Sequence, residues 1–220
     1  MAIAFIDSCD GQHQSSVTTS AMDSTGADTI IISVQTYNTS VPLTAISDSK
    51  SNVFVQLSHN DFGVYDQRIF LCRNPTVGGS HTFSFSTGGA SYAVVSAVAF
   101  SGVGVLSAND YTNATSVSSV SAGPLTATSN GSLFYFSIGT GNTVTQSSVS
   151  GGFTEITDIE GIANFWMGLH TSYKIQSTAG SETPTATLSG TNTMNATLLM
   201  FDPLPPSAGG GATVHPLYAN

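Results

Sequence analysis

Short alternations of apolar and polar residues recur along the whole chain, each closed by a cluster of Gly, Asn, Asp or Ser. No window sustains the 3.6-residue period of an amphipathic helix, so the pattern predicts an all-β protein. Strands are expected near 3–6, 15–21, 28–37, 42–47, 52–58, 67–73, 80–86 and 91–100 in the first half. In the second half they are expected near 115–120, 124–128, 132–138, 152–157, 161–173, 183–188 and 193–201. About 12 to 15 short strands joined by turns point to an antiparallel β-sandwich or jelly roll.

The pattern also repeats. Gly79-Ser80-His81-Thr82 and Gly180-Ser181-Glu182-Thr183 open segments of equal length that end at Phe100 and Phe201, a constant separation of 101 residues. Upstream, Ile31-Ile32-Ser33-Val34-Gln35-Thr36-Tyr37-Asn38 answers Tyr135-Phe136-Ser137-Ile138-Gly139-Thr140-Gly141-Asn142. Between them, Leu43-Thr44-Ala45-Ile46-Ser47-Asp48 answers Phe153-Thr154-Glu155-Ile156-Thr157-Asp158. Three blocks in one order imply an internal duplication with halves of about 1–105 and 106–202, related by a pseudo-twofold. No Pro-rich linker divides residues 101–114, so the expectation is one domain over 1–202.

On this alignment the halves differ by insertions, where contact loops tend to sit. The first half has extra residues near His59–Gln67, a stretch in which Phe62 and Tyr65 flank Gly63 among amides and acids. It reads as a sugar- or peptide-contact loop, or as a long hairpin whose aromatics tuck inward. The second half has a Ser/Thr/Val/Gly stretch at Thr143–Gly151, expected to be a surface loop. After Asp202, Pro203-Leu204-Pro205-Pro206 stops the last strand and Gly209-Gly210-Gly211 supplies a hinge. The tail of this 203–220 segment, with Val214, His215, Leu217 and Tyr218, reads as an arm that clips onto a neighbouring subunit or as an end packed on its own domain.

Composition narrows the partners. Only 8% of the 220 residues are charged, so Ser, Thr and amides must make most of the surface. The net charge of −9 and just four cations, Lys50, Arg68, Arg73 and Lys174, argue against nucleic acid and anionic membrane. No run approaches the roughly 20 apolar residues of a spanning helix. Cys9 and Cys72 are too few for a disulfide framework; one bridge or two buried thiols would fit. Met1-Ala2-Ile3-Ala4-Phe5 has neither a basic nor an extended apolar leader region. A surface of extracellular character without such a leader suits a protein released by assembly and lysis, as virion proteins are; a mature secreted domain is the alternative.

Candidate chemistry is sparse. A regular strand through the single Trp would turn Ala163, Phe165, Met167 and Leu169 to the core and Asn164, Trp166, Gly168 and His170 outward. An outward Trp166 beside Asn164 and His170 is a candidate subunit or glycan contact. Asp7 with Asp10 and Asp158 with Glu160 are paired carboxylates, but Asp48 aligns with Asp158, which favours a turn acid over glycoside hydrolysis. Such loop acids could also hold Ca²⁺, though without an EF-hand pattern. The five His show no zinc spacing, no G-x-S-x-G occurs, and Gly139-Thr140-Gly141 precedes β texture rather than a helix. The expectation is therefore no cofactor, no metal and no enzyme activity. Four N-x-[ST] matches, at Asn38, Asn113, Asn130 and Asn195, are what a chain rich in these residues yields by chance.

The Gly79 and Gly180 blocks, their Phe-terminated strands and the Thr-x-Ile-x-Asp segments at Thr44 and Thr154 give a texture that resembles Ser/Thr/Gly-rich β-sandwich and jelly-roll modules. Such modules occur in bacteriophage head-decoration and tail proteins and in bacterial surface proteins. The resemblance covers about residues 15–202 in style and carries no catalytic residues. It implies a virion structural protein, a capsid decoration or tail component, that assembles with itself as a homo-oligomer or with other virion proteins. A carbohydrate-binding module or adhesin on a cell surface or in the extracellular space is the alternative it leaves.

Overall fold

The computed structural model describes residues 1–14, 16–37, 45–86, 92–141, 143–160 and 167–205. Every regular element among them is a β-strand. In the first half these are β1 (Ala4–Gln14), β2 (Ser16–Thr18), β3 (Thr29–Tyr37), β4 (Ala45–Asp48), β5 (Val55–Phe62), β6 (Tyr65–Arg73), β7 (Phe83–Ser86) and β8 (Tyr92–Ser101). The second half supplies β9 (Val103–Ser121), β10 (Leu125–Ala127), β11 (Ser132–Thr140), β12 (Gln146–Val149), β13 (Thr154–Ile159), β14 (Gly168–Gln176), β15 (Gly180–Glu182) and β16 (Thr185–Pro203).

Most strands fall where alternation places them, because β-branched and aromatic runs such as Thr29-Ile30-Ile31-Ile32 suit a pleated, buried surface. Two departures stand out. β9 reaches back to Val103, through a stretch too polar to read as a strand, because β16 offers it a partner along nearly its whole length. Residues 143–151, expected as a loop, contain β12, which pairs with the start of β16.

All pairings are antiparallel. One large sheet runs β1-β8-β3-β6-β5, and the other runs β9-β16-β11-β14-β13 with β12 beside β16. Counted from β1 and from β9, the two five-strand paths have the same order. The register agrees as well: Ile31 pairs with Val98 on β3–β8, and Tyr135 pairs with Leu199 on β11–β16. A small sheet β2-β7-β4 centres on Phe85 between Val17 and Ile46, and its counterpart centres on Ala186 between Val120 and Val149. The middle sequence block does not follow this order. Asp48 ends β4, whose counterpart by pairing is β12, whereas Asp158 lies on β13, the counterpart of β5. The alignment of those two acids, and the insertion inferred from it, are not upheld by the pairing.

The large sheets face each other, and each carries an outer layer on its far side. On β3, Ile30, Ile32 and Val34 point into an outer core with Phe70, Phe83 and Phe85. The alternate Ile31 joins a central core with Val98, Phe100, Leu133, Tyr135, Leu199 and Phe201. A matching outer core gathers Phe134, Phe136 and Ile138 of β11 with Leu125, Leu188 and Leu198. Strands buried on both faces read as nearly continuous apolar runs. Burial of each such side chain contributes roughly 1.5–3 kcal/mol. Cys9 and Cys72 stay free thiols in the first outer core, and burial pushes Cys9 up to about 11.

Candidate functional site

The residues predicted for contact are placed differently from one another. Trp166 and Asn164 lie outside the described residues, as do Val214, His215, Leu217 and Tyr218 of the proposed arm. His170 is fully buried, which corrects its outward assignment. Leu169 faces a small apolar cluster and His170 faces the opposite side, but that side is covered too. Period-two alternation sorts residues to faces; it does not say that the second face meets solvent.

Phe62 and Tyr65 are the closing pair of a tight hairpin rather than an extended loop. Its two-residue turn is Gly63-Val64, with Gly63 at φ +70°, which a glycine adopts without strain. Tyr65 then reaches into the other half, donating its hydroxyl to the Gly141 carbonyl at 3.1 Å. A Cβ at Gly141 would overlap the Tyr65 ring, and one at Gly139 would overlap the Gln35 amide, so these glycines let the halves approach closely.

Between the large sheets, beside the central core, lies a polar layer. Ser33 Oγ and Tyr135 Oη share a hydrogen bond of 2.8 Å, as do Ser96 Oγ and Thr157 Oγ1. Thr197 donates to Gln67 Oε1 at 2.7 Å, and Asn195 Nδ2 to the Asn60 carbonyl at 3.1 Å. Buried polar groups that pair one another fix one docking arrangement, because sliding would strand them. Burial pushes the pKa of the Tyr135 phenol well up, against hydrogen bonds from Ser33 and Thr171.

Three histidines pair with aspartates; His59, with Asp66 at 3.0 Å, is exposed, and the other two are buried. His81 Nε2 donates to Asp48 Oδ2 at 2.7 Å, its Nδ1 shares a 2.8 Å bond with Ser24 Oγ, and its ring stacks on Phe83. Asp48 also accepts from the backbone N–H groups of Lys50 and Asn52 and from Asn52 Nδ2. Burial raises the Asp48 pKa, but the Asn52 and His81 bonds outweigh it and hold the carboxyl below its ordinary range. The connectivity Ser24–His81–Asp48 has the order of a nucleophilic triad. However, Ser24 has no exposure, and its Oγ is also bonded to the Gly78 N–H and carbonyl. It is thus sealed from any substrate. In the second pair, His170 Nδ1 bonds Asp158 Oδ1, which also accepts from the Gln146 N–H, while His170 Nε2 is buried with no partner among the described residues. Asp158, too, is held low, as the His170 and Gln146 bonds outweigh burial.

Of the paired acids, Asp7 is engaged by the N–H groups of Ser8 and Asp23 and Asp158 by His170, while Glu160 is exposed. Among the described residues no three His, Cys, Asp or Glu side chains gather at metal-binding distance. No helix of the described residues is long and apolar enough to cross a membrane.

Two surface features were not legible in the sequence. Among the described residues β9 pairs with β16 alone, leaving its other edge without a strand partner there, and it exposes Val105 (69%) and Tyr111 (60%). A cleft of about 360 Å³ lies where β6 ends, β9 begins and β16 ends; Arg73 lines it. The chain is an all-β protein of antiparallel sheets packed against each other. The chain matches no protein-family model, and comparison with curated proteins and with solved structures finds no match.

Proposed function

We propose that the protein is a structural component that works by protein–protein assembly, as a homo-oligomer or with other virion proteins on a capsid or tail. The observation that carries this reading is the open edge of β9. A 19-residue strand with one partner among the described residues presents a row of backbone donors and acceptors, flanked by exposed Val105 and Tyr111. Such an edge is a template for strand addition by another chain. With only 8% charged residues in the chain, few charges blunt it. The equal strand order of the halves and the register shared by Ile31–Val98 and Tyr135–Leu199 support descent from a duplicated sandwich. The glycan reading draws on Trp166, which lies outside the described residues, and on the Phe62/Tyr65 hairpin, where the Tyr65 hydroxyl is engaged by the Gly141 carbonyl.

Light scattering on the purified chain tests the assembly reading. A mass of two or more copies is expected, falling to one copy for Val105→Lys/Tyr111→Lys. Removal of residues 206–220 reports separately on the arm. A full-length monomer that neither self-associates nor binds particles, with the double variant behaving identically, would overturn it.

A further inference from the structure

Of the four cations, Arg68 and Lys174 hold ion pairs with Asp66 and Glu182. Arg73 holds none, although all 13 carboxylate side chains lie among the described residues. It is half-buried at the end of β6, over the ring of Phe201 at 5.5 Å from the centroid. Its Nη1 donates to Thr29 Oγ1 at 3.0 Å and to the Val103 carbonyl at 2.7 Å. Nε and Nη2 make no hydrogen bond with the described residues. The neighbouring acid, Asp28, is already committed: Oδ2 accepts from the Gly102 N–H at 2.6 Å, and Oδ1 accepts from Thr29 Oγ1 at 3.0 Å. Burial pulls the Arg73 pKa down while Asp28 opposes it, so the charge is held at a cost.

Arg73 lines the cleft of about 360 Å³, whose walls include Val103, Val105, Pro203, Leu204 and Pro205. We propose that the cleft is a binding site for a single carboxylate on a short apolar stem. The Nε/Nη2 edge of Arg73 takes the two oxygens side by side, a geometry that the planar guanidinium fork matches. The stem lies against Val103, Val105 and Leu204. A phosphate dianion is disfavoured, because one cation with Asp28 beside it in a chain of net charge −9 cannot balance two negative charges. The walls come from β6, the start of β9 and the end of β16, so an occupied cleft ties the two halves together where they join. The carboxylate comes either from a free small acid or from an acidic side chain of a second copy.

Hexanoate is the probe, with hexanamide as the uncharged control, titrated into the isotope-labelled full chain and followed by NMR. Saturable shifts at Arg73 Nε–H and at the amides of Val103, Val105 and Leu204 are expected, with hexanamide weaker by about tenfold or more. Arg73→Gln should abolish saturation. Should that variant fail to fold, Val105→Asp at an exposed position places a repelling charge at the cleft and should abolish binding in an intact fold. Equal shifts with hexanamide, no saturable shift at these groups, or undiminished binding by a folded variant would overturn the site. Light scattering in hexanoate separates the sources. Dissociation of an oligomer assigns the carboxylate to a second copy, and unchanged mass with saturable binding assigns it to a free acid.

Discussion

The two buried histidines satisfy the same kind of side chain in opposite degrees. His81 has both ring nitrogens bonded, to Asp48 and Ser24, and those partners are themselves held by Asn52, Lys50 and Gly78. His170 has one nitrogen bonded to Asp158 and the other buried with no partner among the described residues. Asp48's side chain is sealed beside His81, whereas Asp158 is 22% exposed, so water can replace a lost partner only in the second case. A closed polar network resists change because each deletion strands its neighbours, whereas an open one has already borne part of that cost.

The largest effect should follow from His81→Phe, which removes one hydrogen bond each from Ser24 Oγ and from the Asp48 carboxylate in a sealed site. A loss of about 3–5 kcal/mol is expected by urea denaturation. Next comes acid sensitivity. Asp48 and Asp158 are both held below the ordinary carboxylate range, so in acid the unfolded chain binds more protons than the folded one. The stability they contribute is complete above about pH 4 and is lost as pH falls through their folded-state values. Asp48→Asn should flatten that acid limb more than Asp158→Asn, since four bonds favour the charged form of Asp48 and two that of Asp158. Urea midpoints between about pH 2 and 6 give the slopes; equal flattening would erase the distinction. The smallest change is expected for His170→Phe, under about 1 kcal/mol, because it removes an unpartnered nitrogen along with one bond. A cost equal to that of His81→Phe would show that His170 sits in a closed network after all.

Much of the fold was readable because strands have a short period and loud punctuation. The ends of the repeated blocks, 92–100 and 194–201, each pair along a central strand of a large sheet, β3 and β11. The middle block misled, since Ala45-Ile46-Ser47-Asp48 and Glu155-Ile156-Thr157-Asp158 share a generic strand texture without sharing a pairing partner. His81 and Asp48 were visible as residues but are 33 apart, and neither spacing nor charge announces their bond. Arg73 gave even less signal. What sets it apart is that it lines a cleft without an ion pair, a property of its surroundings.

The chain by itself determined that it would be built from strands, where most of them start and stop, and which side chains share a face. Those properties follow from backbone sterics and period-two geometry, which act over a few residues. Only the tertiary structure decided that the second face of β14 is covered, that Tyr65 docks on Gly141, and that β9 pairs with β16 alone among the described residues. It likewise decided that Arg73 meets a cleft instead of a carboxylate. Each of these depends on which distant strand lies alongside, and that is settled by long-range packing of whole sheets against one another.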